Sequence, residues 1–121
     1  MREIHDHKAP GDSPMNLLQV TAADDLGAGG APALYTVWDR PAKLTPLIVK
    51  FQEGNPKDGI NGVTHEALLA IVIDRLEHFQ RGPFPSEESN RALIACRAAL
   101  SHLHKRTSER IARGVEGQTK P

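Results

Sequence analysis

Thr64-His65-Glu66-Ala67-Leu68-Leu69-Ala70-Ile71-Val72-Ile73-Asp74-Arg75-Leu76-Glu77-His78-Phe79-Gln80-Arg81-Gly82-Pro83-Phe84-Pro85-Ser86 is the stretch that decides the fold. Thr64 has the side chain of a helix N-cap, and Glu66 puts a carboxylate in the first turn, where the helix dipole favours it. The helix is predicted to run to about Gln80, stopped by Arg81-Gly82-Pro83. Its apolar residues, from Ala67 through Ile73 to Leu76 and Phe79, cover more than one stripe. A helix apolar nearly all round needs cover from several sides, and one partner helix supplies only one. Self-association is the simplest remedy.

A second helix begins at Ser86, after Pro85 and before Glu87-Glu88. Leu93, Cys96, Leu100, Leu103 and Thr107 alternate three and four apart, the spacing of a coiled-coil seam. Running to Arg113 with Gly114 as a left-handed C-cap, this helix would be about 40 Å long. The connection Gly82-Pro83-Phe84-Pro85 is short, so the two helices should lie antiparallel.

Upstream, three β-like runs, Leu17 to Thr21, Leu34 to Trp38 and Leu47 to Gln52, are separated by Gly, Ala, Pro and Lys punctuation. Gly27, Gly29 and Gly30 lack the Lys-Ser/Thr of a phosphate loop and read as a flexible connector. Asn55-Pro56-Lys57-Asp58-Gly59 and Asn61-Gly62 read as turns. The expected class is α+β: a small N-terminal antiparallel β-sheet followed by a long antiparallel helical hairpin, oligomeric. Residues 1–14 read as a flexible tail. Residues 15–117 read as a single domain, β-rich over 15–54 and hairpin over 63–113, and 118–121 as a second tail.

The chain has 121 residues and no net charge, but the charge is uneven. Residues 1–80 hold seven Lys/Arg against eleven Asp/Glu, net −4, while 81–121 hold eight against four, net +4. A zero total argues against a bulk nucleic-acid binder, DNA included, and leaves room for a small anionic ligand on the basic part. The single cysteine, Cys96, excludes an internal disulfide framework and fits a reducing cytosol. The apolar run Ala67–Ile73 is too short to span a bilayer, and no secretory signal precedes it, so a soluble intracellular protein is expected.

The search for catalytic equipment finds no nucleophile–base pair and no metal set. His65-Glu66-Ala67-Leu68-Leu69 begins like a zinc-protease helix, but Leu69 stands where the second histidine belongs. His102 and His104, two apart, point to different helix faces. His5 and His7 sit in the polar N-terminal segment and read as solvated, and Cys96 reads as a small seam residue. No enzyme activity, cofactor or metal is expected.

What remains is a binding constellation. Arg106, Arg110 and Arg113 are four and three apart, one helical face, and offer bidentate contacts to phosphate. The plainer reading is that they complement the helix C-terminal dipole. Phe79 stands at the rim of its apolar run, either as core or as a stacking surface for a purine. Gly59-Ile60-Asn61-Gly62-Val63-Thr64 leads into a helix N-terminus whose free N–H groups suit phosphate. A third use of the arginines, against a carboxylate patch on a protein, would make the chain a structural adaptor.

Several of these stretches together closely resemble one phage family. They are Phe51-Gln52-Glu53-Gly54, Asn61-Gly62-Val63-Thr64 with Glu66-Ala67-Leu68-Leu69, Phe79-Gln80 with Gly82-Pro83-Phe84, and Arg106-Thr107, Arg110 and Arg113-Gly114-Val115-Glu116-Gly117. The family is the helical-hairpin domain of anti-defence "sponge" proteins, and the resemblance covers about residues 47–117. The β-rich front resembles the Thoeris-inhibiting branch more than the nearly all-helical CBASS-inhibiting branch.

The resemblance implies a non-catalytic protein that binds cyclic nucleotide immune signals without degrading them, in the cytoplasm of the infected host. Implied ligands are glycocyclic ADP-ribose isomers and, in some members, cyclic di- or trinucleotides at separate sites. Implied assemblies are homo-oligomers, commonly hexamers, with pockets between subunits. Position by position, Phe79 matches a base-stacking aromatic, Arg106 and Arg110 match phosphate-binding arginines, and Arg113 falls in the shared ending. Many members begin the second helix Cys-Arg-Glu-Asn with a ligand-binding Asn, where this chain has Ser86-Glu87-Glu88-Ser89 followed by Asn90. Ser89 therefore stands at the Asn position. The segment between Gly54 and Asn61 is about one residue shorter than usual, and both departures bear on ligand identity.

Overall fold

A computed structural model describes residues 1–27 and 29–114. Ala28, the Val115-Glu116-Gly117 part of the shared ending and residues 118–121 lie outside the described residues. The chain divides into two compact units, Met1–Gly62 and a second beginning at Val63, where the sequence reading takes 15–117 as a single domain.

The first unit is an antiparallel meander of four strands, β1 (Arg2–Ile4), β2 (Leu18–Ala22), β3 (Leu34–Asp39) and β4 (Leu47–Lys50), in that spatial order. Pairing sets Val20 opposite Val37 and Tyr35 opposite Val49, so β-branched and aromatic residues share one face. On it Tyr35 meets Phe51 edge-to-face with ring centroids 5.6 Å apart. The other face is more polar. There Trp38 Nε1–H donates to Thr21 Oγ1 at 3.3 Å, and the 2% exposed Gln19 donates to the Leu17 carbonyl at 3.1 Å.

Residues 1–14, expected as a loose tail, carry β1, whose Ile4 pairs with Val20. Ladder bonds use backbone groups alone, so a three-residue edge strand with one apolar side chain leaves no periodicity to read. The following residues are also fastened. Asn16 bonds both the N–H and the carbonyl of Ala9, and the His7 ring donates through Nε2 to the Leu18 carbonyl at 2.7 Å.

Carboxylates close the longer loops. Asp24 accepts N–H bonds from Ala33 and Leu34, and Asp39 accepts from Leu44 at 2.8 Å. After β4, Asn61 folds back on its own unit. Its Oδ1 accepts the Glu53 N–H at 2.8 Å, its Nδ2 donates to the Glu53 carbonyl at 2.7 Å, and its N–H donates to Gln52 Oε1. The close approach requires Gly62, since a Cβ there would lie 2.4 Å from the Phe51 carbonyl carbon.

The second unit is the helical hairpin, α1 (His65–Arg81) and α2 (Glu87–Ala112). Thr64 and Ser86 are the N-caps, accepting N–H bonds from Ala67 and Ser89. The Ser86 N–H donates to Gln80 Oε1 at 3.0 Å and ties the connection to α1. Gly114, with φ +71°, follows the end of α2 in the left-handed conformation its position demands.

Burial traces the seam. On α2 the covered residues are Ser89, Leu93, Cys96, Leu100, Leu103, Thr107 and Arg110, stepping by four and three throughout. On α1 the matching row is Glu66, Leu69, Ile73, Leu76 and Gln80. Thr107 Oγ1 bonds Glu66 Oε2 and Arg97 bonds Glu77, which sets the antiparallel register.

The register leaves α1 widely open on its outer side, where Ile71 is 66% and Val72 45% exposed. Among the described residues only Ala22, Ala33, Ile73 and Leu93 are buried apolar side chains. So little buried apolar surface is thin cover for two units.

Gly62→Ala should cost about 1–3 kcal/mol in urea unfolding, the range for forcing atoms into filled space. Gly29→Ala, with nothing within 4 Å of the added atom, should stay within about 0.5 kcal/mol. A second expectation concerns acid. The Leu34 N–H foremost, with that of Ala33, holds the Asp24 carboxyl below the ordinary aspartate range. The folded state therefore binds this proton less readily than the unfolded chain does. The stabilisation is complete above the unfolded pKa of about 3.9 and is lost as pH falls through the lower folded value. Asp24→Asn, which keeps an acceptor and cannot titrate, should make stability fall less steeply below about pH 4.

Candidate functional site

The hairpin sorts the candidate residues by its two ends. Near the connection stand Phe79, late on α1, and Ser89 and Asn90, in the first turn of α2. At the opposite end, where α1 begins and α2 finishes, stand Thr64, Arg106, Arg110 and Arg113. Asn61 belongs to the first unit.

Phe79 is 42% exposed, so the reading as a core residue does not hold for the single chain. Its ring carries a cation: the Arg75 guanidinium carbon lies 4.9 Å from the ring centroid, one helical turn away. By the register of the Glu66–Thr107 and Glu77–Arg97 contacts, Phe79 is level with Ile94 of α2, which is also exposed. Ser89 is half-buried at the head of the seam with its N–H on the Ser86 hydroxyl, whereas Asn90 is exposed.

The arginines do not form one outward face. Arg110 is 8% exposed and held by an interaction within the chain. Its place follows from the seam, since Thr107 plus three is 110. Arg106 and Arg113 flank the seam and are exposed. The spacing of four and three that groups them in the sequence is real, but a helix paired along a heptad seam turns the middle residue inward. A seam read from apolar residues alone stops at Thr107 and misses this. Ser89 was hidden at the other end for the same reason.

Two candidates have structural duties. The Asn61 side-chain amide is engaged on both sides by Glu53, and the Thr64 hydroxyl caps α1. A sequence reading did miss Glu77. It bonds Arg97 across the seam and lies 3.5 Å from Arg81, and the Arg97 hydrogen bond holds its carboxyl below the ordinary glutamate range. Its signal was present, since seventeen residues of one helix facing a second helix leave flanking positions where opposite charges meet. Among the described residues no three His, Cys, Asp or Glu side chains group as a metal site. No helix among them is long and apolar enough to cross a membrane.

Phe79 and Arg106 are thus far apart within one chain. Arg106 is level with the first turn of α1, twelve residues before Phe79, which is about 18 Å along the axis. One chain therefore presents Phe79 and Arg106 at opposite ends of its hairpin.

The model of a family described as Acb2/Tad1, hairpin domain, matches residues 46–108, the end of the sheet unit and nearly all of the hairpin. Over 109 residues the chain is 41% identical to Thoeris anti-defense 1 of Bacillus phage SBSphiJ7. That alignment covers 89% of this chain and 72% of the phage protein.

The burial difference separates the two arginines in a stability measurement. Arg110→Ala should lower unfolding free energy by about 1–3 kcal/mol, because it strips a partner from a buried polar contact. Arg106→Ala, at an exposed position, should change it by no more than about 0.5 kcal/mol. Equal effects in denaturant melts would mean that Arg110 is not held in the seam.

Proposed function

The chain belongs to the Acb2/Tad1 hairpin-domain family, and from that premise we propose that it is a phage anti-defence protein that sequesters a cyclic nucleotide immune signal. It acts in the cytoplasm of the infected bacterium and returns the signal chemically unchanged. The preferred ligand is glycocyclic ADP-ribose, since the related phage protein is named for Thoeris and spans the β-rich front as well as the hairpin. Cyclic di- and trinucleotides are the alternative class.

The observation that carries this reading is the division of the site between the two ends of the hairpin. Phe79 offers a stacking face, Arg106 an exposed guanidinium, and about 18 Å of helix separates them. Two hairpins laid antiparallel bring the connection end of one to the open end of the other. Base and phosphate are then met by different subunits. The exposed Ile71 and Val72 lie on the same outer side of α1 as Phe79 and supply apolar surface for such a contact. The assembly is therefore at least a dimer, and a hexamer of such pairs is the family expectation.

Removal of a phosphate-binding arginine loses about 1.5–3 kcal/mol, or roughly 10–150-fold in affinity. Loss of a stacked base costs about 1–3 kcal/mol. Phe79→Ala and Arg106→Ala should each weaken binding of glycocyclic ADP-ribose by these amounts in calorimetric titration. Co-expressed in one assembly, they should regain wild-type affinity at reduced stoichiometry, because one pocket of a mixed pair receives an intact Phe79 and an intact Arg106. Failure to regain it would mean that both residues serve the pocket from one chain, or not at all. Denaturing the loaded protein should release the ligand with its original mass, and a cleaved product would overturn sequestration.

A further inference from the structure

We propose that Arg75 is a positioning residue for the stacking site at Phe79. Its guanidinium covers one face of the ring and leaves the other as the sole platform for a nucleobase. The proposal rests on the reading of Phe79 as the base-stacking aromatic.

The guanidinium carbon stands 4.9 Å from the ring centroid, inside the roughly 6 Å range of cation–π attraction. Residues 75 and 79 are four apart and both exposed, so the stack stands on the outer side of α1, away from the seam. The nearby carboxylates have other partners. Asp74 lies 3.6 Å from His78, and Glu77 bonds Arg97 and lies 3.5 Å from Arg81. Among the described residues Arg75 forms no ion pair with a carboxylate. The ring is where its guanidinium goes.

An exposed phenylalanine turns about two side-chain torsions, and ordering it on binding costs affinity. A guanidinium stacked on one face biases the ring to one setting before any ligand arrives. It also closes that face. A base must therefore enter from the far side, and the finished stack has three layers: guanidinium, ring, base. With the ring between them, Arg75 does not touch the base and acts only through Phe79. Arg75 thus sets which side of α1 admits the ligand, and it does so without adding a phosphate contact.

The test is a double-mutant cycle on the intact oligomer, titrated with glycocyclic ADP-ribose and in parallel with a cyclic trinucleotide. Arg75→Ala should weaken binding about two- to five-fold, the size of an exposed cation–π contact. In the Phe79→Ala background the same change should cost nothing further. Arg75→Lys, which keeps a cation, should recover most of the loss, and the salt dependence of binding should stay that of wild type. Wild-type affinity in Arg75→Ala, where Phe79→Ala is impaired, would overturn the proposal and leave the stacking reading intact. An additive loss with a shallower salt dependence would also overturn it, by making Arg75 a direct phosphate contact. Equal affinity in Phe79→Ala and wild type, or no binding by wild type, would instead remove the stacking reading, and the proposal with it.

Discussion

The antiparallel seam between α1 and α2 is the constraint on which the hairpin unit depends. Two rows of residues at alternating three and four spacing meet along it, Glu66 to Gln80 on one helix and Ser89 to Arg110 on the other. The Glu66–Thr107 and Glu77–Arg97 contacts fix its register. Every candidate residue on the hairpin takes its place from this alignment. It turns Arg110 inward and leaves Arg106 and Arg113 at the flanks. It also puts Phe79 at one end and the arginines at the other. A slip of one helical turn would move each group by about 5 Å and break both cross-helix contacts.

The apolar surface this seam leaves uncovered is as informative as what it covers. A helix packed against one partner hides one stripe, and α1 is apolar well beyond one stripe. Ile71, Val72 and Phe79 remain in the open on α1, as does Ile94 on α2. Hydrophobic burial is proportional to the area removed from water, so a second hairpin has more to gain here than solvent does. Under the proposed function, assembly and base stacking both draw on this uncovered surface of α1.

Local polar bonds do the rest of the shaping. Asp24 and Asp39 hold the ends of their loops, Thr64 and Ser86 cap the helices, and Asn61 latches the return after β4. Each satisfies backbone groups that regular structure leaves unpaired. Asn61 and Thr64, both named as ligand candidates, hold their own backbone here. A side chain suited to holding a phosphate or a ribose hydroxyl is equally suited to holding its own backbone, and in these two places the backbone has it.

The sequence by itself determined the element types and most boundaries. Thr64, Ser86 and the Gly82–Pro85 break mark helix limits through local chemistry, and three of the four strands show in their β-branched runs. It also determined family membership, through short stretches spread over the hairpin. Strand β1 was not legible, because its pairing partner Val20 lies sixteen residues away and its own side chains carry no pattern. The burial of Arg110 and the separation of Phe79 from Arg106 were decided only by tertiary structure. Spacing along one helix states which residues share a face. Which face turns inward, and what lies opposite it, depends on the register of a second helix, and that register is a property of the packed pair.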